Sequence, residues 1–299
     1  MGNSESSTTQ SSDGFKEGPD LKVNKNIVMF SSLTSTDSLK QHYEKRRMEA
    51  GDCAAGWIKS LAEKVGAFSS APELAGLGAL AVAVLIDILS SNPNSIKDVL
   101  QSVFAEEKAS KVWDLIDEFL KRYRMYINDR ETLKKEIKRI EEQLSKALTR
   151  LKNSMVRGGH VTNQDVKIWV NGAAFHIQML IHLERLGGTQ NYDPIKSLIK
   201  EYKEDLDTVF EKHEEMIKGK CHFVSYADTN GASISYDVCL VTEDSKSYWV
   251  GDRGSEEDLE DYYNKRFGKQ KCEIEKHFSE VEKNVPELIR QRGSLEVRR

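Results

Sequence analysis

Leu74–Leu89 reads Leu-Ala-Gly-Leu-Gly-Ala-Leu-Ala-Val-Ala-Val-Leu-Ile-Asp-Ile-Leu, a run in which Asp87 is the only charged residue. Because the whole chain is 31% charged, this run must leave water, either for a protein core or for a lipid bilayer. As a helix its sixteen residues extend about 24 Å, whereas a transmembrane helix needs about 20 apolar residues. The short length and the charge of Asp87 favour a buried core helix over a permanent membrane span.

The residues on either side of this run are typical of the ends of a helix in a soluble protein. Ser70-Ala71-Pro72-Glu73 matches a capping box with proline near the helix start. Ser90-Ser91-Asn92-Pro93 is a stop signal for the same helix. We therefore expect Asp87 to be a helix-end carboxylate that is held by a salt bridge.

A second interpretation stays open, in which residues 57–89 form a membrane-active hairpin. The amphipathic stretch Trp57–Phe68 and the apolar run would leave the fold on a trigger and insert into lipid. Neutralisation of the Asp87 carboxylate would favour that step. The candidate insertion residues are Leu74, Leu77, Leu80, Val84, Ile86 and Asp87.

Helical periodicity over residues 38–219 predicts a mainly α-helical fold, a multi-helix up-and-down bundle. Thr162–Leu186 is apolar on nearly every side, which is typical of a helix at the centre of a fold. Gly158-Gly159 and Gly187-Gly188 are expected to end two of the helices. The longest amphipathic seam has apolar residues at steps of three and four: Leu133, Ile137, Ile140, Leu144, Leu148, Leu151 and Met155.

Residues 220–299 are expected to form a small α+β region that packs on the bundle. Cys221–Ala227 and Ile234–Thr242 are rich in β-branched and aromatic residues, and Asn230-Gly231 between them predicts a hairpin turn. Ser255-Glu256-Glu257-Asp258 predicts a capped helix start. Cys272–Arg299 shows no decisive period.

Charge and cysteine content narrow the compartment and the partners. A net charge of −4 gives no electrostatic argument for a nucleic-acid partner. The four cysteines are widely spaced and form no CxxC pair, and the sequence carries no secretory signal pattern. We therefore expect a cytoplasmic protein with free thiols, in which peripheral membrane contact stays open. The cysteines are Cys53, Cys221, Cys239 and Cys272.

Residues 1–26 are polar and rich in serine, which predicts a disordered tail. Met1-Gly2-Asn3-Ser4-Glu5-Ser6 matches the myristoylation pattern, and Gly2 is the candidate acceptor. A flexible tail that begins Met-Gly explains the same residues. One myristoyl chain binds membranes only marginally without a second signal, and the nearby lysines are mixed with acidic residues.

No motif in the sequence indicates catalysis. His176 and His182 are six residues apart, so they point away from each other on a helix and cannot share a metal as an i, i+4 pair would. We expect His176 to be a hydrogen-bonded core residue. Tyr123, in Lys121–Arg124, is expected to be a core tyrosine beside a solvated basic face. P-loop, GxGxxG, GxSxG and HExxH patterns are absent from the sequence, so we predict a non-enzyme with no cofactor or metal site.

Three segments resemble the rapunzel family of bony fishes. They are Leu120–Asp129, Leu148–Met155 and Asn171–His182, and Asn171-Gly-Ala-Ala-Phe-His176 is the most specific piece. The resemblance covers roughly residues 50 to 250. It implies no enzymatic activity and no site residues, and it associates the chain with fin and skeletal development.

We therefore expect a non-enzymatic interaction or regulatory protein whose C-terminal α+β piece contacts a protein partner of unknown identity. The alternative is the membrane-active protein with the inserting hairpin of residues 57–89.

Overall fold

The computed structural model describes residues 17–51, 54–66, 68–90, 110–159, 161–188, 191–227, 235–243, 246–251 and 255–297. These residues are mainly helical with small antiparallel sheets, as the sequence predicts. The helices are α1 Lys25–Phe30, α2 Ser35–Ala50, α3 Ala54–Val65, α4 Leu77–Ser90, α5 Lys111–Tyr126, α6 Arg130–Gly158, α7 Asn163–Gly187, α8 Asp193–Lys218, α9 Glu256–Tyr263 and α10 Lys269–Arg290. The strands are β1 Ser69–Ala71, β2 Cys221–Ala227, β3 Ser235–Glu243, β4 Lys246–Gly251 and β5 Gly293–Ser294.

Several predicted features lie outside the described residues. These are Gly2, the thiol of Cys53, the stop signal at residues 91–93 and the turn Asn230-Gly231.

The residue contacts divide the chain into two compact units. The bundle unit comprises Leu21–His213 and Glu273–Arg299. The sheet unit comprises Glu214–Cys272 together with the described residues before Leu21. Most of α10 thus belongs to the bundle unit. The sequence analysis instead assigned these residues to the C-terminal α+β region and found no decisive helical period in Cys272–Arg299.

Helices α5 to α8 follow one another through short connections, which makes sequential helices antiparallel neighbours. Glu141 of α6 lies beside His176 of α7, and Leu148 lies beside Gly172, so the two helices run in opposite directions. A Cβ atom on Gly172 would come within 2.6 Å of Leu148 Cδ2, so glycine permits this close approach. The predicted up-and-down bundle is confirmed.

The predicted core of the bundle unit is buried. All seam positions of α6 are buried except Leu151, which is partly exposed. Helix α7 is buried around most of its circumference, including Trp169 and Phe175, as its all-round apolarity predicts. Gly159 and Gly188 adopt left-handed backbone angles directly after α6 and α7, where the sequence predicts the helix ends.

The predicted capping box before the apolar helix is wrong. Ser69–Ala71 forms β1 and pairs with β5, and Pro72–Leu74 is a single 3₁₀ turn. Ser70 has a φ of 77° and Gly76 a φ of 57°, backbone angles that an α-helix cannot contain. Helix α4 therefore begins at Leu77. The candidate insertion residue Leu74 lies three residues before the helix.

Helix α4 lies in the core of the bundle unit. Every residue from Leu77 to Asp87 is buried, and Val84 is 1% exposed. The fourteen residues of α4 extend about 21 Å. Within the described ranges, no helix combines the length and apolarity that crossing a membrane requires.

The predicted disorder of residues 1–26 is wrong for its last part. Leu21 and Val23 are 1% and 8% exposed, and α1 begins at Lys25. The backbone N–H of Asn24 donates to the Asn171 side chain at 2.7 Å, which fixes this segment on α7. Two buried apolar side chains and two hydrogen bonds to α7, the second from Lys167 Nζ to the Lys22 carbonyl at 2.7 Å, order this polar segment.

The sheet unit contains a three-stranded antiparallel sheet in the order β2-β3-β4. Part of one face is covered within the unit: Arg266 stacks over the Tyr248 ring at 4.3 Å, and the Tyr248 and Tyr262 rings are 6.3 Å apart. Phe223, which pairs with Cys239 on the same face, is 59% exposed. Helix α9 starts with a capping box between Ser255 and Asp258, as the sequence predicts.

Candidate functional site

A fully buried guanidinium forms the centre of a polar cluster in the bundle unit. Arg185 of α7 donates from Nε and Nη2 to the Leu288 carbonyl at 3.0 and 2.7 Å, and from Nη1 to the Ala75 carbonyl at 3.0 Å. Leu288 lies in the last turn of α10, where carbonyls have no intrahelical partner and a positive charge is favoured. Arg185 therefore joins α7, α10 and the turn before α4.

The partners of His182 determine its tautomer. Arg185 Nη1 lies 2.9 Å from His182 Nδ1, and because arginine only donates, Nδ1 accepts. The ring proton is then on Nε2, 3.2 Å from the Tyr123 hydroxyl, which in turn donates to the Glu73 carbonyl at 2.7 Å. The hydrogen bonds thus run in one direction from Arg185 to Glu73.

Burial shifts the pKa of Tyr123, His182 and Arg185 in this cluster. Burial, and then the charge of Arg185, lowers the pKa of His182 well below its ordinary value. Burial, and then the Glu73 charge, raises the pKa of Tyr123 well above its ordinary value. Burial lowers the pKa of Arg185 to about 10. The three side chains are joined by internal hydrogen bonds, which suits the cluster to a structural role.

The Glu73 carboxylate extends the cluster to α6. Glu73 is 1% exposed, and its Oε1 accepts from Arg130 Nε at 2.6 Å. Glu73 Oε2 is buried without a hydrogen-bond partner among the described residues. A Cβ atom on Gly76 would lie 2.5 Å from Arg185 Nη1, and one on Gly78 would lie 2.4 Å from the Tyr123 hydroxyl. The cluster is therefore closed, with no space for a ligand beside these glycines.

His176 is a hydrogen-bonded core residue, as predicted. Its Nδ1 lies 2.6 Å from the Tyr202 hydroxyl and its Nε2 lies 2.7 Å from Glu141 Oε1. Burial raises the pKa of the Tyr202 hydroxyl that lies beside Nδ1. In the described part of the chain, no group of three His, Cys, Asp or Glu side chains is placed to hold a metal ion.

Asp87 is a salt-bridged carboxylate near the end of α4, as predicted. Its Oδ1 accepts from Arg46 Nε at 2.6 Å and from His42 Nε2 at 2.8 Å, both on α2. Arg46 and His42 thus join α2 to α4 through the Asp87 carboxylate. Insertion of α4 into lipid stays an untested prediction.

The exposed face of the three-stranded sheet differs in character from these clusters. His222 of β2 pairs with Leu240 of β3, and Leu240 pairs with Trp249 of β4. Directly paired residues of antiparallel strands share a face, so these three side chains form a row across the sheet, which we name the outer row. Trp249 is 52% exposed, His222 is exposed and Leu240 is partly exposed. A large aromatic side chain is thus accessible beside an aliphatic one.

The opposite, inner face carries a disulfide that the sequence analysis did not predict. Cys221 and Cys239 form a disulfide bond, so the prediction of free thiols is wrong for this pair. Their Cα atoms are 5.9 Å apart because the strands pair in a register that makes the two positions diagonal neighbours. Among the described residues, Cys272 is a free, exposed cysteine.

Sequence reasoning missed most of these positions. The predicted hairpin turn at Asn230-Gly231 places Cys221 and Cys239 at nearly equal distances along the two strands, which was a usable signal for the disulfide. Arg185 follows an almost uncharged helical stretch. Nothing in the sequence indicates that its guanidinium would donate hydrogen bonds to the carbonyls of Leu288 and Ala75, which are 103 and 110 positions away.

A search of protein-family models, of curated proteins and of solved structures finds no match to this chain.

Proposed function

We propose that this protein is a non-enzymatic binding protein of regulatory type and that the outer row is the centre of its surface for a protein partner. The observation that carries the proposal is the exposure of Trp249 next to Leu240 and His222 on one sheet face. Tryptophan is enriched among the residues that dominate protein–protein binding energy. The buried polar clusters of the bundle unit are occupied with internal contacts and support a structural role.

The charge of the sheet unit defines the partner further. Residues 214–272 carry eight lysines and arginines against twelve aspartates and glutamates, a net charge of −4. This sign disfavours nucleic acid and anionic lipid as partners. It favours a protein surface that is apolar at its centre and basic around it. The resemblance to the rapunzel family adds the expectation that this binding acts in fin and skeletal development.

Site-specific photo-crosslinking tests the proposal. A photoreactive amino acid is placed at position 249 of the full chain in cells, and a matched version carries it at Met125, which is 56% exposed on α5. We expect a discrete crosslinked protein from position 249 and none from position 125. The captured protein is then purified and titrated against the purified chain and its Trp249→Ala and Leu240→Glu variants.

The proposal predicts that both variants weaken this two-component binding while Met125→Ala does not. Equal crosslinking from positions 249 and 125, or unchanged binding by both variants, would refute it. Trp249 is half exposed, so its replacement is expected to leave the fold intact.

A further inference from the structure

The disulfide lies directly behind the outer row. Cys221 precedes His222 in β2, and Cys239 precedes Leu240 in β3, so the bond joins the two backbone segments that carry two outer-row side chains. Cys239 is 0% exposed and Cys221 is half-buried. A small thiol can therefore reach the sulfur of Cys221 more readily than that of Cys239.

The sheet has a second means of holding the same strands. Seven residue pairs join β2 to β3, from Cys221↔Val241 to Ala227↔Ser235. Strand β3 is also paired with β4. We therefore expect these ladders to keep the strands together when the disulfide is open, so that loss of the bond changes the rigidity of the hairpin rather than its fold.

We infer that the Cys221–Cys239 bond is a reversible thiol switch that sets the rigidity of the outer row and thereby regulates partner binding. The regulatory part rests on the proposed function, and reversibility rests on the access of a small thiol to the half-buried sulfur of Cys221. In the oxidised chain the outer row is held in one arrangement, which favours binding by lowering the entropy lost on association. In the reduced chain the same row is looser and binds more weakly.

The chemistry is thiol–disulfide exchange with glutathione. A glutathione thiolate attacks Sγ of Cys221, forms a mixed disulfide with it and releases the thiolate of Cys239, which takes up a proton. A second glutathione thiolate attacks the glutathione sulfur of the mixed disulfide, which frees Cys221 and forms oxidised glutathione. Two electrons pass from two glutathione thiols to the protein disulfide, and the reverse sequence reforms the bond.

Hydrogen exchange measures the effect on the strands. The full chain carries Cys53→Ser and Cys272→Ser, which leaves Cys221 and Cys239 as its only cysteines. It is equilibrated in glutathione buffers of graded ratio, and the bond is quantified by differential alkylation and mass spectrometry. The bond closes a loop with a sequence separation of 18, and loop closure of this size changes opening equilibria by roughly 100-fold. We expect amide exchange in β2 and β3 to rise by up to that factor on reduction, and exchange in α6 to stay unchanged.

Single-cysteine variants provide the matched comparison. Cys221→Ser and Cys239→Ser are each expected to reproduce the exchange of the reduced chain. If Cys239→Ser fails to fold because position 239 is buried, the comparison with the reduced chain rests on Cys221→Ser alone. Three results would refute the proposed switch. The bond never forms, no glutathione ratio opens it, or its opening leaves amide exchange in β2 and β3 unchanged.

Binding of the crosslinked partner separates this inference from the proposed function. Weaker binding to the reduced chain supports regulation, and equal binding in both redox states overturns it while the partner surface stands. If position 249 captures no partner, the proposed function fails, and the redox and exchange measurements still decide the switch.

Discussion

Placing a carboxylate in the middle of α4 tests whether this helix belongs to the core. Val84 is 1% exposed, so the Val84→Glu side chain would be buried among apolar neighbours. A buried glutamate has a pKa of about 8–9, against about 4.3 in the unfolded chain. At pH 7 the folded state must therefore keep a proton that the unfolded state releases, which costs about 1.36 × 2.7, or about 3.7 kcal/mol. The larger, polar side chain adds about 1–3 kcal/mol.

The expected loss of roughly 5–7 kcal/mol approaches the whole stability of many domains, about 5–15 kcal/mol. Because the folded-state pKa is raised, the ionisation cost grows as pH rises above 4.3, and at pH 5 it is about 1 kcal/mol. The gap between Val84→Glu and the unmodified chain should therefore narrow by about 2.7 kcal/mol between pH 7 and pH 5. Urea unfolding followed by circular dichroism at both pH values measures this gap.

Val28→Glu is the matched control, because Val28 is a valine that is 41% exposed on α1. This variant is expected to change stability by less than about 0.5 kcal/mol at either pH. A Val84→Glu protein as stable as Val28→Glu would refute the placement of α4 in the core. Retained stability together with lost leakage from liposomes would favour the membrane-active alternative.

Three further predictions concern the bundle unit. Arg130→Ala should lower the unfolding free energy by about 3–5 kcal/mol, because it leaves the buried Glu73 carboxylate without its ion pair. Arg139→Ala is the control: it removes the more exposed pair with Glu136 and should lower the unfolding free energy by less than about 1 kcal/mol. Gly76→Ala should lower the unfolding free energy by about 1–3 kcal/mol more than Gly159→Ala. Both glycines have a positive φ, but a Cβ atom would meet the Arg185 side chain at Gly76 and nothing within 4 Å at Gly159. Burial lowers the pKa of His277 to about 4, so the folded chain should lose up to about 2 kcal/mol between pH 7 and pH 5.

Each of these predictions has an outcome that contradicts it. Equal costs for the two arginine variants in urea unfolding would show that the Arg130 pair is as solvated as a surface pair. Equal melting temperatures for the two glycine variants would show that the Arg185 side chain moves aside freely. A His277→Gln variant that keeps the full acid dependence of the unmodified chain would show that another group causes it.

Local sequence signals predicted the parts of the fold that depend on neighbouring residues. The seam of α6, the all-round apolarity of α7 and the cap at Ser255 each involve residues three or four positions apart. The structure bears these out. The start of α4 was wrong because β1 pairs with β5, more than two hundred residues along the chain, and no local pattern reports such a partner.

The candidate site was less predictable for the same reason. The β-branched and aromatic residues of β2 and β3 predicted strands, but they did not predict which side chains are exposed. That depends on Tyr262 and Arg266, which contact Tyr248 from a later helical segment. The salt bridge of Asp87 could be expected from the cost of burying a charge. Its partners His42 and Arg46 could not, because they lie on a helix that is more than forty residues earlier.

The contact between Arg185 and Leu288 has a consequence for synthesis on the ribosome. The two residues are 103 positions apart, and the part of the sheet unit from Glu214 to Cys272 is translated between them. At roughly 5–20 residues per second, translation takes about 5–20 s to cover this distance. Over that interval Arg185 lacks its Leu288 acceptor, although the Ala75 carbonyl has already been synthesised. The bundle therefore completes its core after α10 has been translated, and a nascent chain halted before Leu288 is expected to be a substrate for chaperones.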